Sequence, residues 1–301
     1  MIIPPQLKPG DTIGITAPGR KIPKADLKAA IDIVKSWGLN VQLAKNLFSD
    51  KHSYLAGTDE ERLSDFQSLI NDANVKAILC ARGGYGSTRI VDQIDFSPLL
   101  VQPKYIIGFS DITAIHLKLY SLDIQSIHAT MPVLFAREKS ASSVESLRQM
   151  LLETSNKFIS SESIYSRPGT GAGKIIGGNL SLIVDSLGTS SDPDMDGCIL
   201  VIEEVDEYRY KLDRMITQLW RAGKLNKLAG LIVGYMTDIK DSELGFGETA
   251  EEIVLNHVNK YTYPIAFDFP TGHENPNLAW KHGGTGNLHV ANGRATLTFV
   301  D

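Results

Sequence analysis

Hydrophobic and polar positions along the first half of the chain alternate between two rhythms. "DTIGITAP" (11–18) is a β-rich run closed by Ala-Pro-Gly. "KADLKAAIDIVKSWG" (24–38) sets Leu27, Ala30, Ile31, Ile33, Val34 and Trp37 in a stripe of helical spacing that ends at a glycine. "LNVQLA" (39–44) predicts a second strand, and "TDEERLSDFQSLIND" (58–72) opens on a Thr-x-x-Glu capping box and continues as a helix. "VKAILCA" (75–81) and "KYIIGF" (104–109) read as the third and fourth strands. Strands that alternate with helices argue for a mostly parallel sheet covered by helices on both faces. In such sheets sites form beyond the carboxyl ends of the strands, and the two most irregular exits are "ARGGYGST" (81–88) and "GFSDIT" (108–113).

"TSNKFISSESIYSRPGTGAG" (154–173) is rich in Ser, Gly and Pro and keeps no period, so the inter-domain connection is expected there. The expected division is an N-terminal α/β domain over 1–155, a linker over 156–172 and a C-terminal α/β domain over 173–301. The second half starts with "KIIGGNLSLIVDSLG" (174–188), a strand followed by a helix. It continues with strand "CILVIEEV" (198–205), helix "YKLDRMITQLWRAG" (210–223), strand "LAGLIVGYM" (228–236), helix "ETAEEIVLNHVNKY" (248–261) and strand "PIAFDF" (264–269). A final pair, "GNLHV" and "ATLTFV", flanks Asn292-Gly293, a hairpin signal that gives this half antiparallel character.

Composition narrows the function classes. The chain has 301 residues, long enough for two domains. It is 43% hydrophobic and 22% charged with a formal net charge of -5, so it carries no basic excess for nucleic acid or an anionic membrane. Cys80 and Cys198 both lie in apolar runs, which favours buried reduced thiols over a disulfide or a metal pair and points to a reducing compartment. The start, "MIIPPQLKPGD", lacks a basic and then apolar leader, and no apolar run approaches the ~18 residues of a membrane span, so the expected location is cytoplasmic.

Ser110 stands where a strand turns into a helix, the place that the nucleophile elbow of serine hydrolases occupies. The elbow's usual second glycine is replaced by Ile112. A serine needs a base, and of the seven histidines His273 is singled out because "FDFPTGHENPN" strings Pro, Gly, His and Asn through a loop after a strand. His282, in "AWKHGG", competes with it, while His52, His116, His128, His257 and His289 read as solvated or hydrogen-bonded imidazoles. The orienting acid is sought at a strand end, where Glu203 and Glu204 follow an apolar run. The alternative is that these two acids pair with Arg209 or Arg214. The glycines of "ARGGYG" let backbone approach a ligand, and the amide of Asp111 points into the same crevice as an oxyanion donor. The loop matches no nucleotide-binding fingerprint. Arg82, with Gly83 and Tyr85 beside it, is the expected substrate-binding element, Arg82 either holding a substrate carboxylate or bracing the loop through Asp111.

Six blocks taken in order resemble a known family, the LD-carboxypeptidases of peptidase family S66, which include the muramoyltetrapeptide carboxypeptidases and the microcin C self-immunity hydrolase. The blocks are "LKPGDTIGITAPG" (7–19), "ILCARGGYGSTRIVDQID" (78–95), "YIIGFSDITAIH" (105–116), "GKIIGGNLSLIVDSLGT" (173–189), "DGCILVIEEVDEYRYKLDRMITQL" (196–219) and "FPTGHENPN" (269–277). The resemblance implies a flavodoxin-like or Rossmann-like parallel-sheet domain followed by a C-terminal α/β domain with some antiparallel strands. It implies Ser110 as nucleophile, Glu203 as acid, His273 as base, and the amides of Gly84 and Asp111 as oxyanion donors. It further implies a cytoplasmic homodimer that needs no cofactor and no metal and releases terminal D-alanine from muropeptide tetrapeptides. The same chemistry would serve an immunity amidase acting on a peptidyl-nucleotide antibiotic, and the same scaffold a catalytically silent binding protein. One departure is visible at "LAWKHGG" (278–284), where the family commonly has a segment ending Leu-Pro-x-Gly.

Overall fold

Ile13, Ile15, Ile78, Leu79, Ile106 and Ile107 have no exposed surface, the signature of parallel strands covered on both sides. The computed structural model describes residues 1–153 and 157–300. In chain order the first elements are β1 (Thr12–Thr16), α1 (Lys24–Ser36), β2 (Asn40–Leu43), α2 (Asp59–Asn71), β3 (Val75–Cys80), α3 (Pro98–Val101), β4 (Tyr105–Gly108), α4 (Thr113–Ser121), β5 (Ser126–His128) and α5 (Ala141–Leu152). Then come β6 (Lys157–Ile159), β7 (Gly169–Asn179), α6 (Leu180–Asp185), β8 (Ile199–Val205), α7 (Arg209–Arg221), β9 (Gly230–Thr237) and α8 (Ala250–Val258). The last four are β10 (Ile265–Ala266), β11 (Trp280–His282), β12 (Thr285–Ala291) and β13 (Arg294–Phe299).

Two compact units emerge: Met1–Ser155 with Gly188–Ser191 and Pro276–His282, and Asn156–Leu187 with Asp192–Asn275 and Gly283–Asp301. The expected boundary between 155 and 156 lies outside the described residues.

The first unit holds a six-stranded sheet in the order β11-β5-β4-β3-β1-β2. Its first five strands are parallel in the flavodoxin-like order 2-1-3-4-5, whose switch point lies between β1 and β3. β11 adds antiparallel to β5, with Trp280 opposite His128 and His282 opposite Ser126. α2 starts as its sequence directs: Thr58 accepts from the Glu61 amide and the Glu61 side chain returns a bond to the Thr58 amide. Phe66, Leu69 and Ile70 form its buried face.

The second unit holds a seven-stranded sheet in the order β10-β9-β8-β7-β12-β13-β6. β7 to β10 run parallel, and β12, β13 and β6 extend the sheet antiparallel. The hairpin between β12 and β13 turns on Asn292 (φ 50°) and Gly293 (φ 74°), both left-handed as a two-residue I′ turn requires. The stretch expected as a linker, 156–172, contributes β6 and the first residues of β7 instead. Its small residues have a packing reason. A Cβ at Gly171 would stand 1.8 Å from the Ala229 carbonyl oxygen, and one at Gly173 would stand 2.1 Å from that of Gly197. Glycines there mark close backbone approach within a sheet, not a free connection.

Candidate active site

In the first unit the exits of β1, β3 and β4, neighbours in the sheet, meet at one corner. β4 ends at Gly108, Phe109 is extended (φ -151°), Ser110 takes φ 62°, and a 3-10 turn over Ser110–Ile112 leads directly into α4. A left-handed serine at a strand-to-helix corner stores strain and turns a part-exposed hydroxyl outward. Ile112, where an elbow's second glycine is usual, packs back on the strand. A Cβ at Gly108 would lie 2.7 Å from its Cγ1. Here the first glycine makes the room.

The β3 exit closes over this corner. A Cβ on Gly83 would come within 3.2 Å of the Ser110 Cβ and 3.4 Å of the Asp111 amide nitrogen, so a glycine here lets the loop lie tightly against the elbow. The next residue, Gly84, has φ +99° and faces Arg20 and Tyr54 instead. The Asp111 side chain, itself 1% exposed, anchors the loop: its Oδ2 accepts from the Ser87 amide (3.0 Å) and the Ser87 hydroxyl (2.7 Å). Burial pushes the Asp111 carboxyl above the ordinary range, against the pull of these donors, the Gly86 amide and the charge of Arg62. Arg62, buried on the apolar face of α2, donates to the carbonyl of Gly86 (2.9 Å) and to that of Pro18, tying the β1 and β3 exits together. Arg62 also pairs with Asp59, which Arg89 holds from outside at 2.6 Å.

The bracing role weighed for Arg82 therefore falls to Ser87 and Arg62. Asp111 is taken by Ser87, while Arg82 Nη1 donates to the Lys21 carbonyl (3.2 Å). The cause is the turn at Gly84, which directs the loop's two ends differently. Tyr85 is 52% exposed at the loop tip.

In the second unit β8 carries Glu203 and Glu204 in succession, and alternation sends them to different partners. Glu203, with no exposed surface, meets His273, Oε2 to Nδ1 at 2.7 Å. Glu204 satisfies the start of α6: its Oε2 accepts from the Ser181 amide (2.8 Å) and hydroxyl (2.6 Å). Its Oε1 accepts from Asn179 Nδ2 and the Val205 amide, both at 2.9 Å. Neither expected arginine serves these acids. Arg209 pairs with Asp241 and Arg214 lies over the Tyr210 ring, both on the surface around α7.

His273 rides a loop laid along β9. The Tyr235 amide donates to the Thr271 carbonyl (2.9 Å), and Gly234 leaves the space that carbonyl fills, since a Cβ there would sit 2.4 Å away. Gly272 (φ +121°) must also lack a side chain, for its Cβ would stand 3.0 Å from that of Glu203. Burial would lower the His273 pKa, but the charge and hydrogen bond of Glu203, with the charge of Glu204 behind it, more than offset this and raise it above the ordinary value. The carboxylate engages Nδ1 and so fixes the orientation of the imidazole ring.

His282, the competing base, is fully buried on β11, where it stacks on His116 (5.4 Å between centroids) and on Trp280 (5.8 Å). Burial holds both His116 and His282 neutral, the former down to about 4 despite its bond to the Gly108 carbonyl. Cys80 and Cys198 are both buried thiols outside any disulfide. Among the described residues no group of three or more His, Cys, Asp or Glu could hold a metal ion, and no helix is long and apolar enough to cross a membrane.

Of the residues singled out in the sequence, Ser110, Asp111, Arg82, Gly83, Gly84 and Tyr85 thus share one corner of the first unit, and Glu203 and His273 form a bonded pair in the second. Ser87 and Arg62 escaped sequence reasoning. Arg62 had left a signal, a charged residue at the i-4 position from Phe66 on an apolar helical face.

Residues 13–129 match the LD-carboxypeptidase N-terminal domain and residues 172–288 the LD-carboxypeptidase C-terminal domain. A "probable murein peptide carboxypeptidase" of Bacillus subtilis is 33% identical over 302 aligned residues, covering 98% of this chain and 93% of that protein. The crystal structure of muramoyltetrapeptide carboxypeptidase from Oxalobacter formigenes superposes with a TM-score of 0.86 at 28% identity, covering 96% of this chain and 99% of that one. An MccF-like protein from Bacillus anthracis shares the fold, with a TM-score of 0.88 at 21% identity over 99% of both chains. Strained serine corner, buried Glu–His pair and whole-length likeness lead to one conclusion: the chain belongs to the LD-carboxypeptidase family, peptidase family S66.

Proposed function

We propose that this protein is a serine carboxypeptidase that releases the terminal D-alanine of murein tetrapeptides in the cytoplasm, with Ser110, His273 and Glu203 as its catalytic triad. The observation that carries the reading is the hydrogen bond between the buried Glu203 carboxylate and Nδ1 of His273, which fits a base held in one tautomer and stabilised when protonated. The names of the Bacillus subtilis and Oxalobacter formigenes relatives supply the substrate class.

The Ser110 hydroxyl oxygen attacks the carbonyl before the terminal D-alanine, and its proton passes to Nε2 of His273. The amides of Gly84 and Asp111 take the developing oxyanion, a pair of donors of the kind worth roughly a hundredfold or more each in rate. Nε2 then gives its proton to the nitrogen of the departing D-alanine as the C–N bond breaks, leaving an ester on Ser110. Water, deprotonated by the same imidazole, cleaves the ester and restores the hydroxyl. Glu203 stays ionised throughout.

The test is mass spectrometry of a muropeptide digest incubated with the protein. Tetrapeptides should lose one alanine and longer or shorter stems should persist. A digest left unchanged by well-folded protein would overturn the reading.

A further inference from the structure

Behind the loop that lines the Ser110 corner lies a second concavity of about 490 Å³, bounded by Arg20, Lys21, Tyr54 and Arg82. It is a built feature of the first unit. The β1 exit and the segment before α2 pair like strands across its floor, with bonds from the Lys21 amide to the Tyr54 carbonyl (3.2 Å) and from the Ala56 amide to the Gly19 carbonyl (3.0 Å). The Arg20 guanidinium lies over the Tyr54 ring, 4.9 Å from its centroid, and Arg82 is tied to the Lys21 carbonyl. Two planar guanidinium groups are thus oriented before any ligand arrives.

Their charges are not answered within the protein. Arg89, Arg148 and Arg209 elsewhere on the surface each meet a carboxylate. Among the described residues Arg20, Lys21 and Arg82 form no ion pair; burial and the charges of Arg20 and Arg137 lower the Arg82 pKa, against Tyr54 and Asp26. In a chain with a net charge of -5, a cleft walled by like cations is a place that favours an anion.

Its position says which one. Gly83 is pressed against Ser110 and the next residue, Gly84, against Arg20 and Tyr54, so the two sides of the loop are separated by a single peptide unit, about 3.8 Å from Cα to Cα. In a peptide cleaved at its last bond, the terminal carboxylate is three bonds beyond the carbonyl carbon that the serine attacks, a comparable reach. We propose that Arg20 and Arg82, with Lys21 and Tyr54 beside them, form an anion subsite that holds the free carboxylate of the departing C-terminal residue and so confines cleavage to the last bond. This rests on the carboxypeptidase reading and specifies how its substrate is recognised.

The experiment separates the two. Calorimetric titration of the full-length Ser110→Ala protein compares a murein tetrapeptide ending in D-alanine with the same peptide amidated at its C-terminus. The free acid should bind about 10- to 100-fold more tightly, the range for a charge-assisted hydrogen bond. Adding Arg20→Gln, at an exposed position, or Arg82→Gln should bring the two peptides to within about twofold of each other by weakening the acid alone. Equal affinity for acid and amide, a preference that survives both arginine substitutions, or failure of the free acid to bind overturns the subsite. Alanine release by the unmutated protein is followed separately. Arginine-dependent acid binding without release would uphold the subsite and sink the peptidase assignment, and release indifferent to Arg20 and Arg82 would do the reverse.

Discussion

His273 Nδ1 lies 2.7 Å from Glu203 Oε2, and the carboxylate it meets has no solvent-exposed surface at all. Because Glu203 raises the His273 pKa, the imidazole accepts its proton at a pH above its ordinary value, and a base must be neutral to act. The acid limb of the kcat/KM profile is therefore expected above pH 6.5, with activity falling as pH drops through it. In Glu203→Gln the burial that lowers the pKa remains without the charge that raises it. The limb should move to lower pH while kcat falls on the order of a thousandfold or more. A limb unmoved by the substitution would show that another group is being titrated.

Glu204 offers the contrast one residue away. It accepts four hydrogen bonds around the start of α6 and none from His273. Glu204→Gln places an amide NH2 among donors, so the urea midpoint should fall by an amount equivalent to about 1–3 kcal/mol. The enzyme that remains folded should keep kcat within about tenfold, far less damage than at Glu203. A larger loss of kcat at Glu204 than at Glu203 would exchange their roles.

Ser110, the proposed nucleophile, sits in left-handed backbone. Its φ of 62° is tolerated by serine but natural to glycine. Ser110→Gly should abolish turnover while leaving the protein at least as stable, with at most ~1 kcal/mol separating the two. Equilibrium urea unfolding gives the stability and alanine release the activity. A marked loss of stability in the glycine variant would mean that the hydroxyl is a structural group.

Acid should weaken the first unit through its buried histidines. His116 and His282 are held neutral by burial, the former down to about 4, whereas an unfolded chain protonates them near the ordinary 6.5. Their folded-state pKa values are depressed, so the unfolded state binds more protons and stability falls as pH drops from 6.5 towards 4. His273, whose pKa is raised, works the other way, adding stability as pH falls through 6.5 with little further change below about 6. Urea midpoints measured at pH 6 and pH 5 should therefore show the loss, at up to ~1.4 kcal/mol per pH unit for each such ring. Equal midpoints would show that these rings take up protons in the native state.

Local signals carried most of the fold. Thr58 and Glu61 make the capping box their spacing announces, Asn292-Gly293 makes the hairpin turn, and the unbroken apolar runs of β3, β4 and β8 are buried strands. Glu203 and His273 were legible because a carboxylate ending a core strand and a histidine in a Pro/Gly-rich loop are each unusual locally. What stayed hidden depends on distant partners. β11 is three residues long and has meaning only beside β5, and the glycines of 169–173 look like a flexible joint until the carbonyls of Ala229 and Gly197 are laid against them. Arg62 and Ser87 act through backbone carbonyls and one carboxylate brought in by other elements, which no periodicity reports.

The late strand β11 also sets a timetable for synthesis. Trp280 and His282 reach their places beside β5 only when about 150 further residues have been made after His128. At ordinary translation speeds that is an interval of about 8–30 s. Through it, the β5 edge offers unpaired backbone groups, and His116 and His128 lack the rings that later cover them. A nascent chain in this condition is a natural client for a chaperone. A fragment ending at residue 155 would remain in it permanently, exposing a sticky sheet edge that Trp280–His282 otherwise seal.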